Sequence, residues 1–179
     1  ATLKEPLMDL CDEKLSLLIQ EFLRVADDAL FLGARDAKNN VEETLFLDGQ
    51  NELRKRRVPL EQDSPELIRK AIQIIGSPLG KATHSDSNEV ATELALIDKD
   101  DFEEFLTVSE LVSELEPKFK DSLFEVEKRF SYLANREIDA HSNPVGPEVL
   151  CNILADALKN LDSERPVVNT IYRSLRKVL

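Results

Sequence analysis

Apolar residues recur every three or four positions along almost the whole chain, and regular alternation of apolar and polar residues is scarce. A repeat near 3.6 residues is typical of amphipathic helices, whereas alternation would indicate strands. The pattern therefore predicts an all-α fold, a bundle of six to seven helices with no substantial sheet.

The first predicted helix starts near Pro6 and carries a wide apolar stripe. Its apolar positions are Leu7, Met8, Cys11, Leu15, Leu18, Ile19, Phe22, Leu23, Ala26, Ala29, Leu30 and Phe31. A stripe of this width predicts a helix that is covered on more than one side. Gly33 is the predicted break after it.

The second predicted helix covers Arg35 to Arg57, and Pro59 ends it. Asp48 and Gly49 lie in its middle, where a glycine costs about 1 kcal/mol relative to alanine. A turn at this point is therefore an alternative to one continuous helix.

A short third helix is predicted from Pro65, with Asp63 or Ser64 as its cap. Residues 76–91 are rich in Gly, Ser, Asp, Asn and Thr, and they predict a mobile polar loop. The apolar run 93–97 is compatible with either a strand or the start of a helix.

A fourth helix is predicted to follow the cap residue Asp98, because acidic residues of its first turn face the positive end of the helix dipole. Pro117 either kinks this helix or begins the next one. The most regular stripe of the chain comes after Pro117 and ends near Asn135. Its members are Phe119, Leu123, Val126, Phe130 and Leu133.

Two further helices complete the predicted bundle. Pro147 suits the first turn of one of them, and Ser163 is the expected cap of the last, which tolerates Pro166 in its first turn. The predicted organisation is one helical domain over residues 1–179.

The 179 residues, 42% of them hydrophobic, are enough to bury one core. The formal net charge is −12, opposite in sign to that of typical nucleic-acid modules. We therefore expect neither DNA nor an anionic membrane as a partner.

No stretch predicts a membrane span or a signal peptide, which favours a cytoplasmic protein. The start at Ala1 without an initiator Met predicts a piece of a longer chain.

The main concentration of basic residues is the run Arg54, Lys55, Arg56 and Arg57. Arginines can clamp a phosphate, a nucleotide or an acidic partner. The same residues are typical of a helix C-terminus, where positive charge meets the negative end of the dipole. The second interpretation is favoured, and the first keeps the run as a candidate binding site.

His141 and Asn143 are candidate contacts for a ligand or partner, because they lie in an unusual polar cluster before the helix that Pro147 begins. Pro144 and Gly146 in the same cluster suit a tight turn that leads into that helix. This structural interpretation of the cluster is favoured over a binding role.

No catalytic residue, metal site or cofactor is predicted. The His and Cys spacings match no zinc site, the acidic cluster after Asp98 lacks the spacing of an EF-hand, and no glycine-rich phosphate loop is present. Cys11 and Cys151 fall on apolar stripes, where buried and unreactive thiols are common.

Several stretches occur in an order that resembles a known family. They are 27–31, 39–40, 45–48 with 52–56, 94–105 and 143–151. Together they resemble the N-terminal part of a proteobacterial family of unknown function, whose members are often named thymidine phosphorylase. The resemblance implies longer proteins and one helix across Asp48 and Gly49, but no established activity. A phosphorylase needs a preorganised phosphate site and a base pocket, and the sequence indicates neither.

The favoured hypothesis is a helical interaction or scaffolding domain of a larger cytoplasmic regulatory protein, which binds a protein partner or self-associates. One alternative is part of an enzyme whose active site is completed by a missing C-terminal chain. Another is a nucleotide- or phosphate-binding module that uses residues 54–57. We expect this piece by itself not to be an enzyme.

Overall fold

The structure is a computed structural model that describes residues 4–74, 99–159 and 161–179. These ranges form six α-helices and one π-helical turn, with no strand among them, which confirms the all-α prediction. The helices are α1 (Lys4–Arg35), α2 (Asn40–Lys55), α3 (Ser64–Ile74), α4 (Lys99–Ala134), α5 (Pro147–Leu158) and α6 (Arg165–Val178), and the π-helical turn is Pro59–Asp63. The predicted polar loop 76–91, the run 93–97 and the cap residue Asp98 lie outside the described residues.

Helix α1 is the central element of the fold. It has 32 residues, which corresponds to a length of about 48 Å. It packs against α2, α3 and α6, so the prediction of a helix covered on several sides is confirmed. Its fully enclosed side chains are Ile19, Phe22, Ala26 and Leu30.

The main hydrophobic core gathers side chains from most of the other elements around α1. The residues that α2, the π-helical turn, α3, α5 and α6 contribute are Leu53, Leu60, Ile68, Ile72, Leu154, Leu158, Val167, Ile171, Tyr172 and Leu175. Burial of this apolar surface is the dominant favourable term in folding.

The boundary between α1 and α2 differs from the prediction. Helix α1 runs through Gly33 and ends at Arg35, so Gly33 is not a break. A Cβ at Gly33 would lie 2.7 Å from the ring of Phe46, so this glycine permits the close approach of α2. The prediction that α2 starts at Arg35 is also wrong, because the side chain of Asn39 caps a helix that begins at Asn40.

Helix α2 is continuous through Gly49, so the alternative of a turn there is wrong. A Cβ on Gly49 would clash with Cγ1 of Val167 in α6. The glycine is therefore required where two helices touch. Helix α2 ends at Lys55 with Arg56 as its C-cap, two residues before the predicted end at Arg57.

Helix α4 passes through Pro117 without a break in its helical assignment and ends at Ala134. Asn135 has a φ of 51°, the left-handed conformation that commonly terminates a helix, and this confirms the predicted end. The stripe after Pro117 is only partly covered. Phe130 is buried against Ile138, whereas Phe119 and Leu133 are 40% and 41% exposed.

The start of α6 corrects the predicted cap. Glu164, not Ser163, occupies the N-cap position, and its carbonyl accepts hydrogen bonds from the backbone N–H groups of Val167 and Val168. Ser163 lies one residue too early to cap the first turn, and its buried hydroxyl has no hydrogen-bond partner in the described part of the chain.

Helix α4 is attached to the rest of the fold mainly through α5 and the C-terminus of α6. Leu111 and Leu115 are buried with Cys151, and Leu179 packs against them. Arg176 of α6 also forms an ion pair with Glu114, at a distance of 2.5 Å. This arrangement leaves one side of the contact between α4 and α5 open.

Candidate functional site

Two residues of the basic run reach a common cleft. Arg54 and Arg57 line a space of about 260 Å³ together with Arg24 of α1. Lys55 and Arg56 do not line it. The structure therefore places two of the four candidate residues of the run in the cleft and the other two outside its lining.

Each arginine of this cleft already has a carboxylate partner. Arg54 pairs with Asp27 at 3.1 Å, and Arg57 pairs with Glu61 at 2.9 Å. Arg24 pairs with two acidic residues of its own helix. A phosphate bound here would have to displace these carboxylates and would be repelled by them, which weakens the case for a phosphate site.

The remaining two residues of the basic run interact with the end of α2. Lys55 forms an ion pair with Glu52 one turn earlier, and Arg56 is the C-cap residue. Arg54 and Lys55 both lie in the last turn, where their charge is favourable with respect to the helix dipole.

Asn143 is fully buried and shapes the turn that precedes α5. Its backbone carbonyl accepts a hydrogen bond from the N–H of Gly146 at 2.9 Å, and its side-chain oxygen accepts one from the N–H of Val145 at 3.1 Å. Asparagine at the first position and proline at the second are typical of β-turns. These contacts are those of the structural turn, and they place Asn143 away from the protein surface.

His141 lies on the surface, next to the start of α5. Its side chain is 78% exposed, and its Nδ1 atom lies 2.5 Å from Oε2 of Glu148. The hydrogen bond and the charge of Glu148 raise the pKa of His141, and the charges of Asp139 and Glu116 act in the same direction.

His141 and Glu148 form one end of a groove between α4 and α5, which we call the α4–α5 groove. Its volume is about 550 Å³. Helix α4 contributes Val108, Ser109, Val112, Ser113 and Glu116 to the lining. The other lining residues are His141, then Glu148, Asn152, Ala155 and Asp156 of α5, and Lys159, which directly follows α5. On both sides the lining residues recur every three or four positions, so the groove follows the two helices.

The α4–α5 groove combines a small apolar surface with charged edges. Val108, Val112 and Ala155 are the apolar residues of its lining. Glu116 and Asp156 form no ion pair within the described part of the chain, although the charge of Glu116 acts on His141. Lys159 is the basic residue at the α5 end of the lining.

The hydroxyl and imidazole groups of the lining take part in local interactions. The hydroxyl of Ser113 donates to the carbonyl of Ser109 within α4, and the imidazole of His141 is paired with Glu148. Burial raises the pKa of the nearby Cys151 thiol to about 11, so this thiol is not a ready nucleophile at neutral pH. Cys11 is half-buried, and burial followed by the charge of Asp12 raises the pKa of its thiol.

Sequence reasoning singled out only His141 among the polar residues of the groove. Glu148, Asn152 and Asp156 recur every four residues on the polar side of α5, and this spacing was a usable signal. It does not show which polar face has a second helix beside it, because that depends on how α4 and α5 pack.

The described residues contain neither a group of three side chains suited to hold a metal ion nor a helix long and apolar enough to cross a membrane. Comparison with curated proteins and with solved structures found no similar chain. Residues 2–179 match the N-terminal domain of DUF1631, a family described as proteins of unknown function. This match covers nearly the whole chain, and the protein therefore belongs to the DUF1631 N-terminal domain family.

Proposed function

We propose that this chain is a protein-interaction domain of a larger cytoplasmic regulatory protein, and that it binds a helical segment of a partner protein in the α4–α5 groove. The observation that supports the proposal is the open groove itself, with an apolar floor and polar edges along two helices. The family description, an N-terminal domain, is compatible with a larger protein.

The length of the groove along α4 suits a short helical segment. The lining residues of α4 from Val108 to Glu116 extend over about 12 Å, or slightly more than two helical turns. A helix that lies in an apolar groove presents side chains at positions i, i+3, i+4 and i+7. The four-residue spacing of Val108, Val112 and Glu116 on one side of the groove complements such a pattern.

Site-specific photo-crosslinking tests the proposal. A photoreactive amino acid is placed at Ser113, on the edge of the groove, in the full-length protein within its native cells. We expect protein adducts from this position. The matched control is the same amino acid at Asn51, which is exposed on α2 and lies outside the groove lining.

The bound segment is then mapped by mass spectrometry of the adduct. A crosslink to one segment of a partner protein that is strong at position 113 and weak at position 51 supports the proposal. Equal, scattered adducts from both positions would contradict it, because a specific groove concentrates its partner at one surface.

A further inference from the structure

We propose that the segment bound in the α4–α5 groove is a cationic amphipathic helix, whose apolar side contacts the floor and whose Lys or Arg side chains meet the carboxylates at the edges. This inference rests on the proposed function and specifies the chemistry of the partner. A helix of this kind combines the two types of surface that the groove offers.

The charges of the groove favour a partner with basic side chains. Glu116, Glu148 and Asp156 line it, against Lys159 and His141. Glu148 is engaged with His141, but Glu116 and Asp156 have no ion-pair partner among the described residues. Two unpaired carboxylates at the edges of an apolar floor are complementary to basic side chains that flank an apolar stripe.

The apolar floor of the groove favours a partner helix with an apolar side. Val108, Val112 and Ala155 leave room because their side chains are short. Phe119 follows Val112 by seven residues, which places it on the same face of α4. Phe119 is partly exposed, so an apolar partner helix has a further contact beyond the end of the groove.

The charge of the whole chain favours a basic partner over a second copy of the domain. The chain has a formal net charge of −12, so two copies repel each other at long range. The basic run of α2 is a poor cationic segment for a second copy, because Arg54, Lys55 and Arg57 are already paired with carboxylates. Self-association through the groove is thus an outcome that would contradict the inference.

Two designed peptides test the inference with the purified protein. Both are helical, about 18 residues long, and carry the same leucine stripe, but one has lysine and the other glutamate on its polar side. Fluorescence anisotropy at low and at physiological salt measures their binding. We expect the cationic peptide to bind at least about tenfold more tightly, with an affinity that falls as salt rises.

Paired substitutions separate the groove from general attraction. The variant with Glu116→Gln and Asp156→Asn removes the two unpaired carboxylates of the groove. Its control, with Glu43→Gln and Asp48→Asn, removes the same two groups from exposed positions of α2. We expect the groove variant to bind the cationic peptide about five- to tenfold more weakly, and the control to change binding less than twofold.

Besides self-association through the groove, three results of the peptide experiments would overturn the inference. They are equal loss of binding in both variants, equal binding of the two peptides, and no binding of either. The substitution Asn152→Trp, on the exposed edge of the groove, must also reduce binding by steric block without any change of charge. If the crosslinks at position 113 persist while the peptides fail, the interaction function stands and only the cationic partner is wrong.

Discussion

Gly49 shows how helix packing overrides an intrinsic conformational preference. Its position inside α2 is unfavourable for a glycine by about 1 kcal/mol. The side chain of Val167 fills the space that a Cβ would need, and Val167 is itself fully buried. The close contact between α2 and α6 therefore compensates for the weak helix propensity.

We predict that Gly49→Ala lowers the free energy of unfolding by about 1–3 kcal/mol, because an added methyl group overpacks the contact with Val167. In a Val167→Ala background the same substitution should be close to neutral, since the two γ-methyl groups nearest to the new Cβ are gone. Urea denaturation of the four proteins measures this coupling. A stabilising effect of Gly49→Ala in the unmodified protein would contradict the contact.

His141 leads to a pH-dependent prediction. Its pKa in the folded protein is raised, first by the hydrogen bond to Glu148, whereas an unfolded histidine titrates near its ordinary value of about 6.5. The native state therefore binds more protons, and the stabilising contribution of the pair is complete below the unfolded pKa. It is lost as pH rises through the folded pKa.

Chemical denaturation of the wild type and of His141→Gln checks this prediction. The stability difference between the two proteins should be larger at pH 5.5 than at pH 8.5, in favour of the wild type. NMR titration should show that Glu148→Gln returns the pKa of His141 toward its ordinary value. A difference independent of pH would show that the pair does not form in solution.

Local sequence signals predict some helix boundaries correctly and others incorrectly. Pro147 correctly predicts the start of α5, and Asn135 correctly predicts the end of α4. Ser163 is as good a cap residue as Asn39 in composition, yet only Asn39 is used. A side chain can cap a helix only when it stands directly before the first turn. Tertiary packing decides where that turn begins, and therefore which residue holds the cap position.

At Asn39 the cap is a testable contribution. Its side-chain oxygen accepts a hydrogen bond from the N–H of Glu42 at 2.9 Å, and the carboxylate of Glu42 accepts one from the N–H of Lys38 at 2.8 Å. We predict that Asn39→Ala lowers the free energy of unfolding by about 1 kcal/mol, whereas Asn40→Ala changes it by less than half of that. Similar losses from both substitutions, measured by urea denaturation, would show that the cap is not formed.

The whole molecule is unevenly packed, with α1 inside and much of α4 at the periphery. Ile19, Phe22 and Leu30 of α1 are fully buried, whereas the second half of α4 has one well-buried side chain, Phe130. Segments with few buried apolar contacts open locally at low free energy. The distal part of α4 is therefore less protected than the centre of α1.

Hydrogen exchange measures this difference directly. We predict that backbone amides of residues 119–129 exchange faster than those of residues 15–30 under native conditions, by at least about tenfold. Binding of the cationic peptide should slow exchange in residues 108–116 and leave residues 40–55 unchanged, since only the first segment lines the groove. Uniform exchange along α4 and α1 would contradict the unequal packing.

The all-α class, the wide stripe of α1, the start of α5 at Pro147 and the end of α4 at Asn135 could be predicted from the amino-acid sequence alone. Each depends on periodicity or on the backbone geometry of a few neighbouring residues. Tertiary packing was needed to show that Gly33 and Gly49 serve helix contacts, that Asn143 is buried, and that Arg54 of the basic run pairs with Asp27 of α1. The groove also depends on tertiary packing. Glu116 and Asp156 are distant along the chain and become two edges of one surface only when α4 packs against α5. Local spacing fixes which face of a helix is polar, but the free energy of packing the whole core selects which faces meet.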